Sequence, residues 1–182
     1  MAGPPERDAA SSRDQGLVVE TPRLLIRLPH EDDAPAYYEM HADPEVTRWL
    51  GGAHPNSVEE ERGRIAERLA QHDELGYTMW TVEEKDTNEV VGLAGLFPVE
   101  KKGPEVEVAY HFRKDRWGRG YATEAARACI EYGFGTAGLE RIVGLVAPEN
   151  APSINVLQKC GLKREGRGHY YDQDLLVFAL TR

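Results

Sequence analysis

The sequence predicts an α/β fold: a mixed, mostly antiparallel sheet of about seven strands flanked by about four helices, with one parallel strand pair at its centre. Three observations carry that expectation. Val106, Val108, Tyr110 and Phe112 alternate with Glu107, Ala109 and His111, the period-two pattern of a strand with two unlike faces. From Tyr121 the period changes, and Ala122, Ala125, Ala126, Cys129, Ile130 and Gly133 fall at the three-to-four spacing of a helix reaching about Gly138. Arg141 to Ala147 is then a short apolar run that reads as a buried strand. Strand, helix, strand in that order implies two parallel strands joined by a crossover helix.

The remaining elements follow in chain order. Residues 1–16 are rich in Ala, Pro, Ser, Arg and Asp without periodicity, and are expected to form a disordered tail ahead of a single domain over residues 17–182. Leu17 to Leu28 reads as a first strand. Glu31 to His41 reads as a helix opened by acids, with Pro35 tolerable in its first turn and Asp43-Pro44 as its breaker. A second helix starts at Asn56 or Ser57, either of which can cap it, and stops at Gly76. Its first-turn acids Glu59, Glu60 and Glu61 are expected to face solvent. Tyr77–Val82 and Val90–Leu96 form an antiparallel pair around the polar turn at residues 85–89. Asn150 to Cys160 is a short helix ended by Gly161, and Leu162–His169 with Leu175–Thr181 make the last strand pair.

Composition bounds the function. The chain has 182 residues, 41% hydrophobic and 29% charged, enough for a full core. A formal net charge of −9 argues against bulk attraction to nucleic acid or to an anionic membrane, and leans towards a cationic substrate. Cys129 and Cys160 stand in no paired motif and read as reduced core thiols, which suits the cytoplasm. The six histidines lack metal-ligand spacing, so no metal is expected. No apolar run has the length of a membrane span, and the N-terminus lacks the basic-then-apolar order of a secretion signal.

Between the central strand and its helix lies a loop with Gly118 and Gly120 and four cations, Arg113, Lys114, Arg116 and Arg119. Glycines let a ligand approach the backbone, and the first N–H groups of a helix have no intrahelical acceptor. Together they make a site for a pyrophosphate. The glycines alone are equally consistent with a tight turn. A dinucleotide-binding unit fits poorly, because Arg113 to Trp117 separate the strand from the glycines and Thr123 stands where the third glycine belongs.

Trp117-Gly-Arg-Gly-Tyr-Ala122 resembles the acyl-CoA pyrophosphate loop of the GNAT superfamily of N-acyltransferases, written Gln/Arg-x-x-Gly-x-Gly/Ala. It is most similar to the branch containing the ribosomal-protein N-terminal (alanine/serine) acetyltransferases, in which Trp also replaces the Gln or Arg. A second motif, Asn150-Ala-Pro-Ser-Ile-Asn-Val-Leu-Gln-Lys-Cys-Gly-Leu162, resembles the Asn-x-x-Ser…Lys-x-Gly-Phe segment of the same branch, with Leu162 in place of Phe. The resemblance covers nearly the whole chain from Thr21. It implies the GNAT fold, in which the central parallel strands splay apart around the pantetheine arm, and acetyl-CoA as cosubstrate. It also implies direct acetyl transfer to an amine within a ternary complex. The main chain of His111, Phe112 and Arg113 would then meet the arm. Trp117, Gly118, Arg119, Gly120, Tyr121, Ala122 and Thr123 would hold the pyrophosphate, and Asn150 the pantetheine amides.

Acetyl transfer to an amine needs a proton acceptor for the nitrogen and a proton donor for the departing thiolate. Glu107, about ten residues before the loop on the polar face of its strand, is the candidate base, though a solvated strand carboxylate would look the same. Ser153 is the candidate acid by resemblance, although Asn150 and Ser153 are also favoured at helix starts for capping alone. At roughly 3.4 Å per residue, His111 lies ~13 Å along the strand from Glu107, too far for a direct dyad. Tyr37, Trp49 and Tyr170 are candidates for the acceptor side, with Tyr38, Leu50, the Gly51-Gly52 turn and Tyr171 beside them. The expected acceptor is a protein N-terminal α-amine; polyamines or aminoglycoside-like amines, or a non-catalytic acyl-CoA-binding module, are the alternatives. The protein is expected to be a monomer or homodimer.

Overall fold

The computed structural model describes residues 16–50 and 56–182, so the expected tail before Gly16 and the Gly51-Gly52 turn lie outside the described residues. The first expected strand is two. Thr21, Pro22 and Arg23 turn the chain, and β1 (Leu17–Glu20) folds back antiparallel on β2 (Leu24–Arg27). Proline, which has no N–H to give to a ladder, explains why the run cannot continue. The helix expected from Glu31 begins as a single 3₁₀ turn and becomes α1 (Ala34–Ala42). Asp43-Pro44 does break it, but the Asp43 carboxylate then caps a further short helix, α2 (Pro44–Thr47), by accepting from Glu45 N–H. Ser57 is the cap of α3 (Val58–Leu75), and Gly76 ends it with φ of 78°.

β3 (Met79–Glu84), β4 (Glu89–Pro98) and β5 (Val106–Phe112) continue as antiparallel neighbours. α4 (Tyr121–Gly135) crosses to β6 (Arg141–Val146), and α5 (Ala151–Lys159) leads to the hairpin of β7 (Lys163–Tyr170) and β8 (Gln173–Thr181). Among the described residues there are eight strands in one sheet, ordered β1-β2-β3-β4-β5-β6-β8-β7, with β5 and β6 the parallel pair. No helix among the described residues is long and apolar enough to cross a membrane.

The core lies on both sheet faces. Val106, Val108 and Phe112 of β5 pack with Ala125, Ala126, Cys129 and Ile130 of α4, so the two periodicities read from sequence meet each other. On the opposite face Tyr37 and Met40 of α1 pack with Ile65 of α3 and Leu93 of β4. A polar network pins α1 to the sheet. Asp33 accepts both Nη1 and Nη2 of Arg27 at 2.8 Å, His30 N–H at 2.9 Å and the Thr81 hydroxyl at 2.9 Å. The Tyr37 hydroxyl meets Thr81 Oγ1 at 2.5 Å. Burial raises the Asp33 carboxyl, but the bonds and charge of Arg27 outweigh it and hold the group below the usual carboxylate range.

Asp33→Asn removes the charge opposite a buried arginine and is expected to cost about 3 kcal/mol in urea unfolding at pH 7. Because the folded-state pKa is the lower one, Asp33 stabilises above its unfolded value and loses that contribution as pH falls. The gap between variant and wild type therefore closes below about pH 4.

Candidate active site

Parallel strands β5 and β6 touch at a single bridge, Glu107 to Val143, and diverge beyond it. The Arg113 N–H to Val91 O bond fixes which residues of β5 face β4. By the two-residue alternation of an antiparallel ladder, His111 also spends its main-chain groups on β4. Tyr110 and Phe112 are turned to the gap instead, so the main-chain groups free of β4 are theirs and not those of His111 and Arg113. A cavity of about 870 Å³ fills this gap and continues to the opposite face of the sheet.

At one end of the gap the loop after β5 delivers α4. Gly118 and Gly120 have φ of 74° and 81°, a region that disfavours a side chain. The first main-chain bond into the helix runs from Glu124 N–H to Gly120 O, which leaves the N–H groups of Tyr121, Ala122 and Thr123 without an acceptor one turn earlier. These three residues, with Trp117, Gly118 and Gly120, line the cavity. Trp117 donates Nε1–H to Phe112 O at 2.9 Å and so closes the loop onto the strand it left.

The loop cations behave differently from the expectation that they hold a phosphate. Arg116 is paired with Glu84, Glu89 and Asp115, Arg113 with Glu89 and Asp115, and Lys114 with Glu45. Arg119 stands 3.8 Å from Glu84 and, like Arg113, lies outside the cavity lining. Acidic side chains have already taken up most of this charge, so main-chain donors are what the loop presents. Glu124 is turned away from the loop, accepting from the Thr21 hydroxyl at 2.7 Å and from Arg23 Nε at 2.7 Å. Cys160, read as a core thiol, is half-buried, donates Sγ–H to Thr123 O at 3.7 Å and does not line the cavity.

Across the gap, α5 begins at the Asn150 cap, whose Oδ1 accepts Ser153 N–H at 3.2 Å. Both residues line the cavity, so capping and a ligand-facing position coexist. The Tyr110 hydroxyl lies 3.0 Å from Ser153 Oγ and donates to Ser153 O at 3.1 Å. Sequence reasoning placed Tyr110 on the apolar face; only the divergence of β5 and β6 lets its hydroxyl reach α5. Burial pushes it above the usual tyrosine range, which keeps it protonated at neutral pH.

Glu107 is 6% exposed and lines the same cavity. Tyr171, at the β7–β8 turn, donates its hydroxyl to Glu107 Oε2 at 2.9 Å while accepting Glu100 N–H at 3.0 Å. Burial, offset in part by Tyr171 and by Leu145 N–H, raises the Glu107 carboxyl to about 7. Tyr170 is outside the lining and packs on Val99, Val143 and Ala179. Tyr37 is fully buried in the α1–α3 core, also outside the cavity, whereas Trp49 and Leu50 do line it.

The far end carries residues that the sequence did not single out: His41, Arg64 and Arg68, beside the His111 side chain. Behind them Glu61, expected in solvent, is fully buried and bonded to His41 Nδ1. His41 Nε2 lies 2.9 Å from His111 Nε2. A signal for Glu61 was present, since it precedes Ile65 by four and Arg68 by seven and so shares their helix face.

An acetyltransferase (GNAT) domain model matches residues 23–163, most of the chain. The chain belongs to the GNAT acetyltransferase family. This makes it an acetyl-CoA-dependent acetyltransferase, and the alternative of a dinucleotide-binding unit falls away. YoaA of Bacillus subtilis, an uncharacterised N-acetyltransferase, is 32% identical over 149 residues, 82% of this chain and 84% of that one. A GNAT-family acetyltransferase from Bacillus anthracis matches in structure with a TM-score of 0.76 at 27% identity, over 90% of this chain and 97% of that one. The ribosomal-protein-S5-alanine acetyltransferase of Vibrio fischeri has the same fold, with a TM-score of 0.77 at 18% identity over 90% and 95% of the two chains.

Glu107 gives two linked expectations. A base at this position with a pKa of about 7 predicts that kcat rises with pH through that value and then levels. A buried acid whose folded pKa is raised weakens the fold above its unfolded pKa. Wild type should therefore lose roughly 2–3 kcal/mol of stability relative to Glu107→Gln between pH 5 and pH 8, read by urea unfolding at each pH.

Proposed function

We propose that the enzyme moves an acetyl group from acetyl-CoA to a protein N-terminal α-amine, by direct attack within a ternary complex. The observation that carries this reading is Glu107, buried on the cavity wall with a carboxyl at about 7. At pH 7 an α-amine of pKa ~7.8 gives up its proton at a cost of about 1 kcal/mol, whereas a lysine of pKa ~10.4 requires about 4.6. A carboxylate that titrates near 7 is matched to the first and weak for the second.

Acetyl-CoA supplies an activated thioester. The residues present fit it: unsatisfied N–H groups at the start of α4 suit a pyrophosphate, and the Tyr110 and Phe112 main chain suits amides of the arm. Asn150 lies along the same wall. Glu107 accepts a proton from the attacking nitrogen, held in place by Tyr171. Ser153 Oγ, held 3.0 Å from the Tyr110 hydroxyl, turns its proton to the departing sulfur. Gap-facing main-chain N–H groups of β5 supply the electrostatic stabilisation that a developing oxyanion needs. Cys129 is fully buried and Cys160 lies outside the lining, which favours direct transfer over an acyl-enzyme. We place the protein in the cytoplasm, where both thiols stay reduced.

Ser153→Ala and Tyr110→Phe should each lower kcat by about 10²-fold while calorimetric binding of acetyl-CoA persists. Unchanged turnover in both would remove the acid assignment. Incubating the enzyme with acetyl-CoA and a panel of free-α-amine peptides, lysine side-chain peptides and polyamines tests the acceptor, and exclusive modification of polyamines would overturn it.

A further inference from the structure

The β7–β8 turn is built from residues that its geometry disfavours. Tyr171 and Asp172, its two central residues, have φ of 53° and 57°, the left-handed region in which Asn-Gly would sit without strain. The 3₁₀ turn Val99–Lys101 that follows β4 meets it, and there Glu100 also has φ of 53°. A tyrosine or a glutamate keeps such a conformation only where its surroundings fix it. Here each fixes the other. Glu100 N–H donates to the Tyr171 hydroxyl at 3.0 Å, and Tyr171 N–H donates to Glu100 Oε1 at 3.0 Å.

That pair of bonds has a direction. A main-chain N–H can only donate, so it occupies a lone pair of the phenol oxygen and leaves the phenol proton for another partner. The partner is Glu107 Oε2, 2.9 Å away. A hydroxyl that donates there favours the charged carboxylate, whereas burial favours the neutral acid. Burial is the larger influence, and the carboxyl stands at about 7, with Leu145 N–H as a second donor. Phe97 and Val143, opposite Glu107 on β4 and β6, carry no charge, and neither do Gln173 and Leu175 where β8 lines the cavity. On its own strand Tyr110 is held protonated by burial. From α1, α2 and α3 the cavity receives His41, Glu45, Arg64 and Arg68, and His41 meets His111, ~13 Å along β5 from Glu107.

We propose that Glu100 and Tyr171 are positioning residues for the transfer: Glu100 locks Tyr171 into its turn, and Tyr171 aims its hydroxyl proton at Glu107, so that the buried carboxylate stays ready for the proton of the acceptor amine. This rests on Glu107 as the base, and not on which class of amine it serves. Glu100 is exposed and lies outside the cavity lining, so it acts only through Tyr171. Without the clasp between the two turns, the phenol is free to leave the carboxylate, and burial alone then sets how tightly Glu107 holds its proton. A base that is already protonated cannot accept from the attacking nitrogen.

The test follows kcat from about pH 5 to pH 9, with whichever amine of the acceptor panel is turned over, in wild type, Tyr171→Phe, Glu100→Ala and Glu100→Gln. Tyr171→Phe keeps the ring and loses the donor, and should move the inflection up by about one pH unit. Its kcat then falls about fivefold at pH 7 and recovers by about pH 9, with KM for acetyl-CoA unchanged. Glu100→Ala should move the inflection the same way. Glu100→Gln, whose amide oxygen still accepts Tyr171 N–H, should return it to the wild-type value. A turn that served stability alone would lower the urea midpoint of Glu100→Ala and leave the inflection where it was. Urea unfolding also gives a readout that needs no acceptor. Wild type weakens relative to Glu107→Gln as pH rises from the unfolded carboxyl value through the folded one. In the Tyr171→Phe background that loss should run to higher pH and grow by about tenfold in the unfolding constant. An inflection that stays in place in both Tyr171→Phe and Glu100→Ala, or an unfolding loss that is the same in both backgrounds, overturns the clasp and leaves Glu107 as the base. An inflection that survives Glu107→Gln removes the base, and the clasp with it.

Discussion

Main-chain groups must be bonded, and β5 beyond its bridge with Val143 has no strand on one side to bond with. The sheet elsewhere follows the ordinary antiparallel pattern, with each strand satisfied by its neighbours. Here the two central strands separate and leave N–H and C=O groups facing a cavity instead of another strand. Everything that matters to the chemistry is arranged around that opening. α4 begins at its rim, α5 begins on its far wall, and the side chains of Glu107, Tyr110 and Ser153 line it, the last two in contact.

Charge in this enzyme is managed mainly by pairing, and the exceptions are informative. Arg27 with Glu83, Glu124 with Arg23, and Arg116 with Glu84 join distant segments and leave little charge over for a ligand. Even the basic loop that looks made for a phosphate has its arginines engaged by acids from β3, β4 and the loop itself. What that leaves open to an anion is the helix and loop N–H groups, which carry no sequence signature beyond two glycines. Glu107 is the opposite case: a buried carboxylate bonded to a tyrosine hydroxyl and a main-chain N–H but to no cation in any ion pair among the described residues, hence its raised proton affinity.

The far wall of the cavity is assembled from unrelated segments. α1 contributes His41, α3 contributes Arg64 and Arg68, and β5 contributes His111, with Glu61 of α3 buried behind them. The Glu61–His41–His111 chain of contacts spans three elements far apart in sequence, and no spacing rule connects them. Tyr37 was the reasonable aromatic candidate there, but helix geometry turned it into the core, and its hydroxyl was taken by Thr81. Tyr170 and Tyr171 are adjacent, and only the second faces the cavity, since neighbouring residues in or beside a strand point to opposite sides.

What the sequence determined by itself was whatever local periodicity and turn chemistry decide: the strand at Val106–Phe112, the glycine loop, the helix from Tyr121, the Ser57 cap, and Glu107 on the polar side of its strand. Those features depend on neighbours within a turn or two, so their residues alone specify them. Tertiary structure decided the rest. The divergence of β5 from β6, the register that gave Tyr110 rather than His111 to the gap, the pairing of the loop cations and the burial of Glu61 all depend on how distant segments pack. Register and burial are properties of two partners at once, and one chain's local pattern carries no record of the second.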